Sequence, residues 1–138
     1  MKLTPNAKGA IGEQLVAADL LRQGFDVFVS VADTSRSDLI ALAEKQVIRI
    51  QVKTSSVKNG VVKLSLRKTC LNPKYNYTYR KGDFDVVALV IAETGQIAYV
   101  SLAAALKCGN ILNLPVEPAK NKQKRHTRNF SDFSTLPL

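Results

Sequence analysis

The sequence predicts one α/β (α+β) domain in which a single long helix leads into a succession of strands. Three observations carry that expectation: helical apolar spacing over residues 6–23, period-two alternation from Phe25 to Val31, and later apolar runs parted by turn signals such as Asn59-Gly60. A chain of 138 residues with 46% hydrophobic content is enough for one core. The core is expected over residues 1–108. Residues 109–138 read as a basic C-terminal tail, packed on that core or used in DNA binding and assembly.

The helix is expected to open near Asn6 as its cap and to stop at Gly24, where a left-handed terminal position suits glycine. From Glu13, helical steps reach Val16, Ala17 and Leu20, with Gly9 one turn earlier, so Glu13 is expected within the apolar stripe. An unpaired carboxylate would be costly there. Phe25, Val27, Val29 and Val31 alternate as a half-buried strand does. After the polar connector 32–37, Asp38 to Ala43 and Val47 to Val57 read as a hairpin turning at Glu44 and Lys45. Asn59-Gly60 is a tight-turn signal into a strand from Val61 to Leu66. Up to this point the strands are expected to run as a meander.

Residues 67–82 read as an exposed loop or edge strand, with Tyr75, Tyr77 and Tyr79 at period two among Lys74, Arg80 and Lys81. Phe84 to Ala92 is almost wholly apolar and is expected as a central strand, followed by a turn at Thr94-Gly95, a strand from Gln96 to Val100 and a short helix capped by Ser101. The tail carries Lys120, Lys122, Lys124, Arg125 and Arg128 with no acid among them, a pattern expected to stay disordered until an anion holds it.

No apolar run approaches the ~20 residues that span a bilayer, and the N-terminus lacks the pattern of a secretory signal. A cytoplasmic protein is expected. Cys70 and Cys108 have no metal-binding spacing and are expected as buried thiols in a reducing compartment, with no zinc site. Twenty Lys and Arg against eleven Asp and Glu give a net charge of +9, a field that attracts polyanions and makes nucleic acid the leading partner class.

The hairpin allows a register argument. If its turn centres on Glu44 and Lys45, the numbers of paired residues sum to 89 and Asp38 lies opposite Gln51. Directly opposed residues share a face, and Lys53 shares it with Gln51, whereas Ile48, Ile50 and Val52 point the other way. Asp38, Gln51 and Lys53 therefore converge. A hard cation such as Mg²⁺ takes oxygen ligands, usually from one or two carboxylates. Asp38, the Gln51 amide oxygen and the Val52 carbonyl are candidate metal ligands. Lys53 is a candidate to orient an attacking water or to stabilise developing charge, and Glu13 to bind the metal through water or to position the nucleophile. The same residues also fit a solvated sheet surface.

Together, Gly9-Ala10-Ile11-Gly12-Glu13, Gly24-Phe25-Asp26-Val27, Ser37-Asp38-Leu39-Ile40-Ala41 and Ile50-Gln51-Val52-Lys53-Thr54 resemble the PD-(D/E)XK nuclease superfamily over roughly the first 100 residues. Group I intron-encoded homing endonucleases of cyanobacterial type look most similar, because they carry Gln-Val-Lys where most relatives have Glu-X-Lys. That resemblance implies a restriction-endonuclease-like mixed β-sheet flanked by helices. It also implies active-site roles for Glu13, Asp38, Gln51 and Lys53, a Mg²⁺ cofactor with Mn²⁺ as a substitute, and sequence-specific cleavage of double-stranded DNA. A homo-oligomer is implied too: one site per chain requires at least a dimer to cut both strands, and the homing enzymes point to a tetramer.

Ser37 stands where the family has proline, and Gln51 where it has an acid. At an effective dielectric of 20 one unit charge a few ångströms away is worth ~4 kcal/mol, so the amide holds a divalent ion more weakly. Either the site leans on Glu13 and the substrate phosphates, or catalysis is lost. The alternatives are thus a Holliday-junction resolvase-like nuclease and an inactive DNA-binding module of the same fold. Candidate DNA contacts are Arg36, Lys74, Tyr75, Tyr77, Tyr79, Arg80, Lys81, Lys122, Lys124 and Arg125. Asp83 and Asp85 are expected to cap or bridge their loop and to play no part in catalysis.

Overall fold

A computed structural model describes residues 2–32, 35–71, 74–116 and 128–137. Helix α1 spans Pro5–Arg22. Its cap is Thr4 rather than Asn6: the Thr4 hydroxyl accepts the Ala7 N–H, and Pro5 takes the first helical turn, where a missing N–H costs nothing. Gly24, with φ of +93°, turns the chain into β1 (Asp26–Val29).

Next come β2 (Leu39–Ala43) and β3 (Gln46–Ser55), joined by a turn that puts Glu44 at φ +51°. A further hairpin links β4 (Val57–Lys58) to β5 (Val61–Ser65), with Asn59 and Gly60 both at positive φ, as a type I′ turn demands. A two-stranded ribbon, β6 (Arg67–Leu71) and β7 (Lys74–Thr78), precedes β8 (Val86–Ile91) and β9 (Ile97–Ser101). Helix α2 (Leu102–Lys107) is capped by the Ser101 hydroxyl, as expected, and β10 (Ile111–Pro115) and a 3-10 turn at Phe130–Phe133 complete the chain.

The strands do not form a meander. The main sheet has the order β1-β2-β3-β8-β9, and β3 runs parallel to β8, while β5 leaves for a second sheet ordered β10-β5-β4. Alternation along a strand reports its faces and not its neighbours, so a parallel partner more than thirty residues away leaves no local mark. Every residue of β8 is buried, the pattern of a strand covered on both faces. The result is a mixed sheet with helices against it, the restriction-endonuclease-like architecture.

Two apolar clusters sandwich that sheet. One packs Val16 and Leu20 of α1 against Leu39, Ala41, Ile48, Ile50, Val52, Val86, Ala88 and Val90. The other covers the opposite face and joins Val87, Leu89 and Ile91 to Val62, Leu64, Leu66, Tyr79, Phe84 and Leu114. Burial of such side chains stabilises by about 25 cal/mol per Å² of apolar surface, which makes these two layers the main source of stability. The described part of the tail packs on the core through Leu114, Phe130 and Leu136. Residues 117–127, which hold most of the basic run and His126, lie outside the described residues. Cys108 is exposed rather than buried, because α2 ends just before it.

The close approach of α1 to β3 rests on Gly12. A Cβ added there would lie 2.2 Å from Thr54 Oγ1 and 3.7 Å from Val52 Cγ1. Only glycine lets the helix sit this low on the strand.

Candidate active site

β2 and β3 pair in the register read from the sequence: Leu39 faces Ile50 and Ala43 faces Gln46, so paired numbers sum to 89. That ladder ends at Leu39, and Asp38 does not take the expected place opposite Gln51, because β2 is distorted at its start. The Asp38 N–H donates to the Ile50 carbonyl at 2.8 Å, and its carboxylate Oδ2 accepts the Val52 N–H at 2.8 Å. The carboxylate thus stands in for a backbone partner of Val52 just ahead of Leu39, where β2 begins. Within a strand the N–H and C=O of one residue leave by the same edge, so the Val52 carbonyl faces the same side as Asp38.

Gln51 and Lys53 project from the sheet face opposite α1, paired with Val87 and Leu89. Gln51 is 7% exposed, and its Oε1 has no hydrogen-bond partner among the described residues. A buried oxygen left so costs ~1–3 kcal/mol. Asp38, Gln51 Oε1 and the Val52 carbonyl are oxygen donors of the kind a hard divalent cation takes. Among the described residues no group of three or more His, Cys, Asp or Glu side chains forms a ready cage, so neutral oxygens would have to complete the set. Lys53 Nζ lies 3.4 Å from the Arg67 carbonyl and 5.0 Å from the centre of the Tyr79 ring.

Glu13 flanks the buried stripe rather than lying within it. The stripe's centre is Gly12, Val16 and Leu20, and Glu13 is half-buried beside it. The other flank is tied toward β9, where Tyr99 donates to Asp19 and the Leu15 side chain reaches Gly95. Glu13 and Ala17, on the opposite flank, therefore lean toward β1 and β2. With Gly12 over Val52, the Glu13 position shares the level of the sheet at which Asp38 meets β3.

Of the expected DNA contacts, Arg36 is 56% exposed, and Arg80 and Lys81 are exposed as well. Arg36 and Arg80 both sit over the half-buried Tyr77 ring, at 4.7 and 5.8 Å. Tyr79 is a correction: it is 2% exposed and packed edge-on against Phe84 at 5.0 Å, so its ring offers no face to a duplex. The side chains of Lys74, Tyr75, Lys122, Lys124 and Arg125 lie outside the described residues.

Asp83 organises this region, a role the sequence only hinted at through its place in a tight turn after Arg80 and Lys81. Its carboxylate accepts the Tyr77 hydroxyl at 2.9 Å, the Arg80 N–H at 2.8 Å and the Arg36 guanidinium at 3.0 Å. Burial by itself would raise its pKa, but the hydrogen bonds from Arg80 and Tyr77 and the charge of Arg36 outweigh it and hold the carboxyl below its ordinary value. The same contact raises the Tyr77 pKa, chiefly through the hydrogen bond to Asp83. Asp85 is lowered likewise: burial opposes ionisation, and hydrogen bonds from the Arg49 side chain and backbone overcome it. The two acids bridge their loop, as expected.

A family model described as PD-(D/E)XK endonuclease matches residues 3–136. Protein 5.3 of Escherichia phage T7 is 30% identical over 88 residues, 62% of this chain and 71% of that protein. The solved structure of I-Ssp6803I, a bacterial homing endonuclease, superposes with a TM-score of 0.76 at 25% identity and covers 94% of this chain and 88% of its own. With this sheet order, and with Asp38, Gln51 and Lys53 at the open end of the hairpin, the chain belongs to the PD-(D/E)XK endonuclease family and is related to the homing endonucleases.

Proposed function

We propose that the protein is a homing-type, sequence-specific endonuclease that hydrolyses both strands of duplex DNA with a divalent cation, Mg²⁺ or in its place Mn²⁺. The observation that carries this reading is the buried Gln51 Oε1, without a hydrogen-bond partner among the described residues, one position along β3 from the Val52 N–H that fixes the Asp38 carboxylate. Asp38, Gln51 and the Val52 carbonyl would hold the ion. When bound, such an ion polarises a phosphoryl oxygen and lowers the pKa of water. Lys53 orients the attacking water and offsets charge on the phosphate oxygens, and Glu13 positions the nucleophile from the helix side. Arg36, Tyr77, Arg80 and Lys81, with the basic tail, grip the duplex backbone.

Two cuts need two such sites, so the working form is a homo-oligomer, a dimer or tetramer of this chain. Its place of work is the cytoplasm, on chromosomal DNA. Incubation with a supercoiled plasmid library carrying random inserts tests the reading. Mg²⁺ should yield linear products from a subset of plasmids, EDTA should abolish them, and Lys53→Ala should bind duplex while leaving it intact. Plasmids that stay supercoiled, or four-way junctions cut in preference to linear duplex, would reject it.

A further inference from the structure

Lys53 carries its charge on four flexible methylenes, and a floating ammonium cannot keep one position beside a reacting phosphate. Besides the Arg67 carbonyl at 3.4 Å, a contact that orients it is legible in the second core cluster. Its Nζ sits over the Tyr79 ring, 5.0 Å from the centroid. That ring is itself immobilised: it is 2% exposed, it meets Phe84 edge-on at 5.0 Å and 76°, and it meets Tyr77 edge-on at 5.9 Å and 78°. The Tyr79 backbone N–H is tied to the Leu66 carbonyl at 2.9 Å. A desolvated aromatic face attracts a cation more strongly than an exposed one, and because the ring is neutral it orients the ammonium without cancelling its charge.

The column does not end at Tyr79. Tyr77 bears Arg36 and Arg80 over its ring and donates to Asp83. Lys53 and the two exposed guanidiniums therefore rest on one aromatic stack, Phe84-Tyr79-Tyr77, with cations above each tyrosine.

We infer that Tyr79 is the positioning residue for Lys53, setting the ammonium through its ring face and tying it to the same stack that carries Arg36 and Arg80. The inference rests on the endonuclease reading, and its test separates the two. Replacing Tyr79 with leucine would open a cavity in the core and confuse folding with chemistry. The suitable series is Tyr79→Phe followed by mono-, tri- and pentafluorinated phenylalanine at the same position, which drains charge from the ring face with little change of shape.

Single-turnover cleavage at saturating duplex reports the chemical step, and duplex Kd measured without metal reports binding. Relative to the Phe variant, the cleavage rate should fall stepwise to about one-tenth at full fluorination, while Kd stays within about twofold. A rate flat across the series, or a Kd that worsens in step with the rate, overturns the positioning role. If the parent cuts no duplex, the endonuclease reading fails and takes this inference with it. If the parent cuts and Lys53→Ala does not, the reading stands and the series alone decides.

Discussion

Gly12→Ala should lower stability although it removes a glycine from a helix interior. In an open helix the change gains about 1 kcal/mol of helix propensity. Here the added Cβ would lie 2.2 Å from Thr54 Oγ1, well inside any tolerated contact, and 3.5 Å from Thr54 Cβ. Threonine is stiff about χ1, so either its rotamer turns or α1 lifts from β3; overpacking of this kind costs about 1–3 kcal/mol. A contact as short as 2.2 Å belongs in the upper part of that range, about 2–3 kcal/mol, so the net loss is about 1–2 kcal/mol, a fall in Tm of roughly 3–8 °C for a domain of this size. Thr54 Oγ1 is buried without a hydrogen-bond partner among the described residues, so Thr54→Ala gives up no bond to them and opens the needed space. In that background Gly12→Ala should be neutral or stabilising. Thermal unfolding of the four proteins closes the cycle, and an equal stabilisation by Gly12→Ala in both backgrounds would refute the reasoning. Because Glu13 follows Gly12 directly, lifting the helix should also slow cleavage more than the stability loss explains.

Other expectations follow from the charged networks. Asp83→Asn should cost about 1–2 kcal/mol, since a carboxylate only 7% exposed loses charge-assisted bonds to Arg36 and Arg80, and chemical denaturation measures the difference. Asp83 and Asp85 both ionise below their ordinary value of 3.8, so the unfolded chain takes up protons first. Their contribution is present above that pH and is lost as pH falls through the folded-state values, and the acid limb of Tm against pH should be shallower in Asp83→Asn. At the alkaline end, burial and then the hydrogen bond to Asp19 raise the Tyr99 pKa above its ordinary 10.0, so the unfolded chain deprotonates first. That stability is present below pH 10 and is lost progressively as the pH rises from there through the folded-state value, and Tyr99→Phe should flatten the alkaline fall of Tm. Gln51→Glu should bind Mn²⁺ at least about tenfold more tightly by calorimetry, a charge effect worth ~1.4 kcal/mol or more; unchanged affinity would remove Gln51 from the ligand set.

The hairpin that carries the candidate site is legible in the sequence because the relevant constraints are local. A two-residue turn and strand alternation set the β2–β3 register over Leu39–Ala43, and the same alternation puts Gln51 and Lys53 on one face of β3. The Asn59-Gly60 hairpin and the Ser101 cap were legible for the same reason. What escaped was non-local. Nothing in β3 announces that its neighbour is β8, and the period-two tyrosines read alike whether solvent or Phe84 lies above them. Glu13 is expected within the apolar stripe but lies on its flank, because the contact that defines the stripe's centre is a glycine, which carries no hydropathic signal. The Thr4-Pro5 start was readable, yet Asn6 competed as an equally good cap by composition.

The most direct measurement is the anomalous scattering of Mn²⁺ soaked into crystals of the protein bound to duplex DNA. One ion is expected in contact with the Asp38 carboxylate, the Val52 carbonyl and Gln51 Oε1, with Lys53 Nζ still over the Tyr79 ring. An ion bound away from Asp38, or a Gln51 oxygen that stays unligated with the metal present, would contradict the assignment of this hairpin end as the catalytic centre.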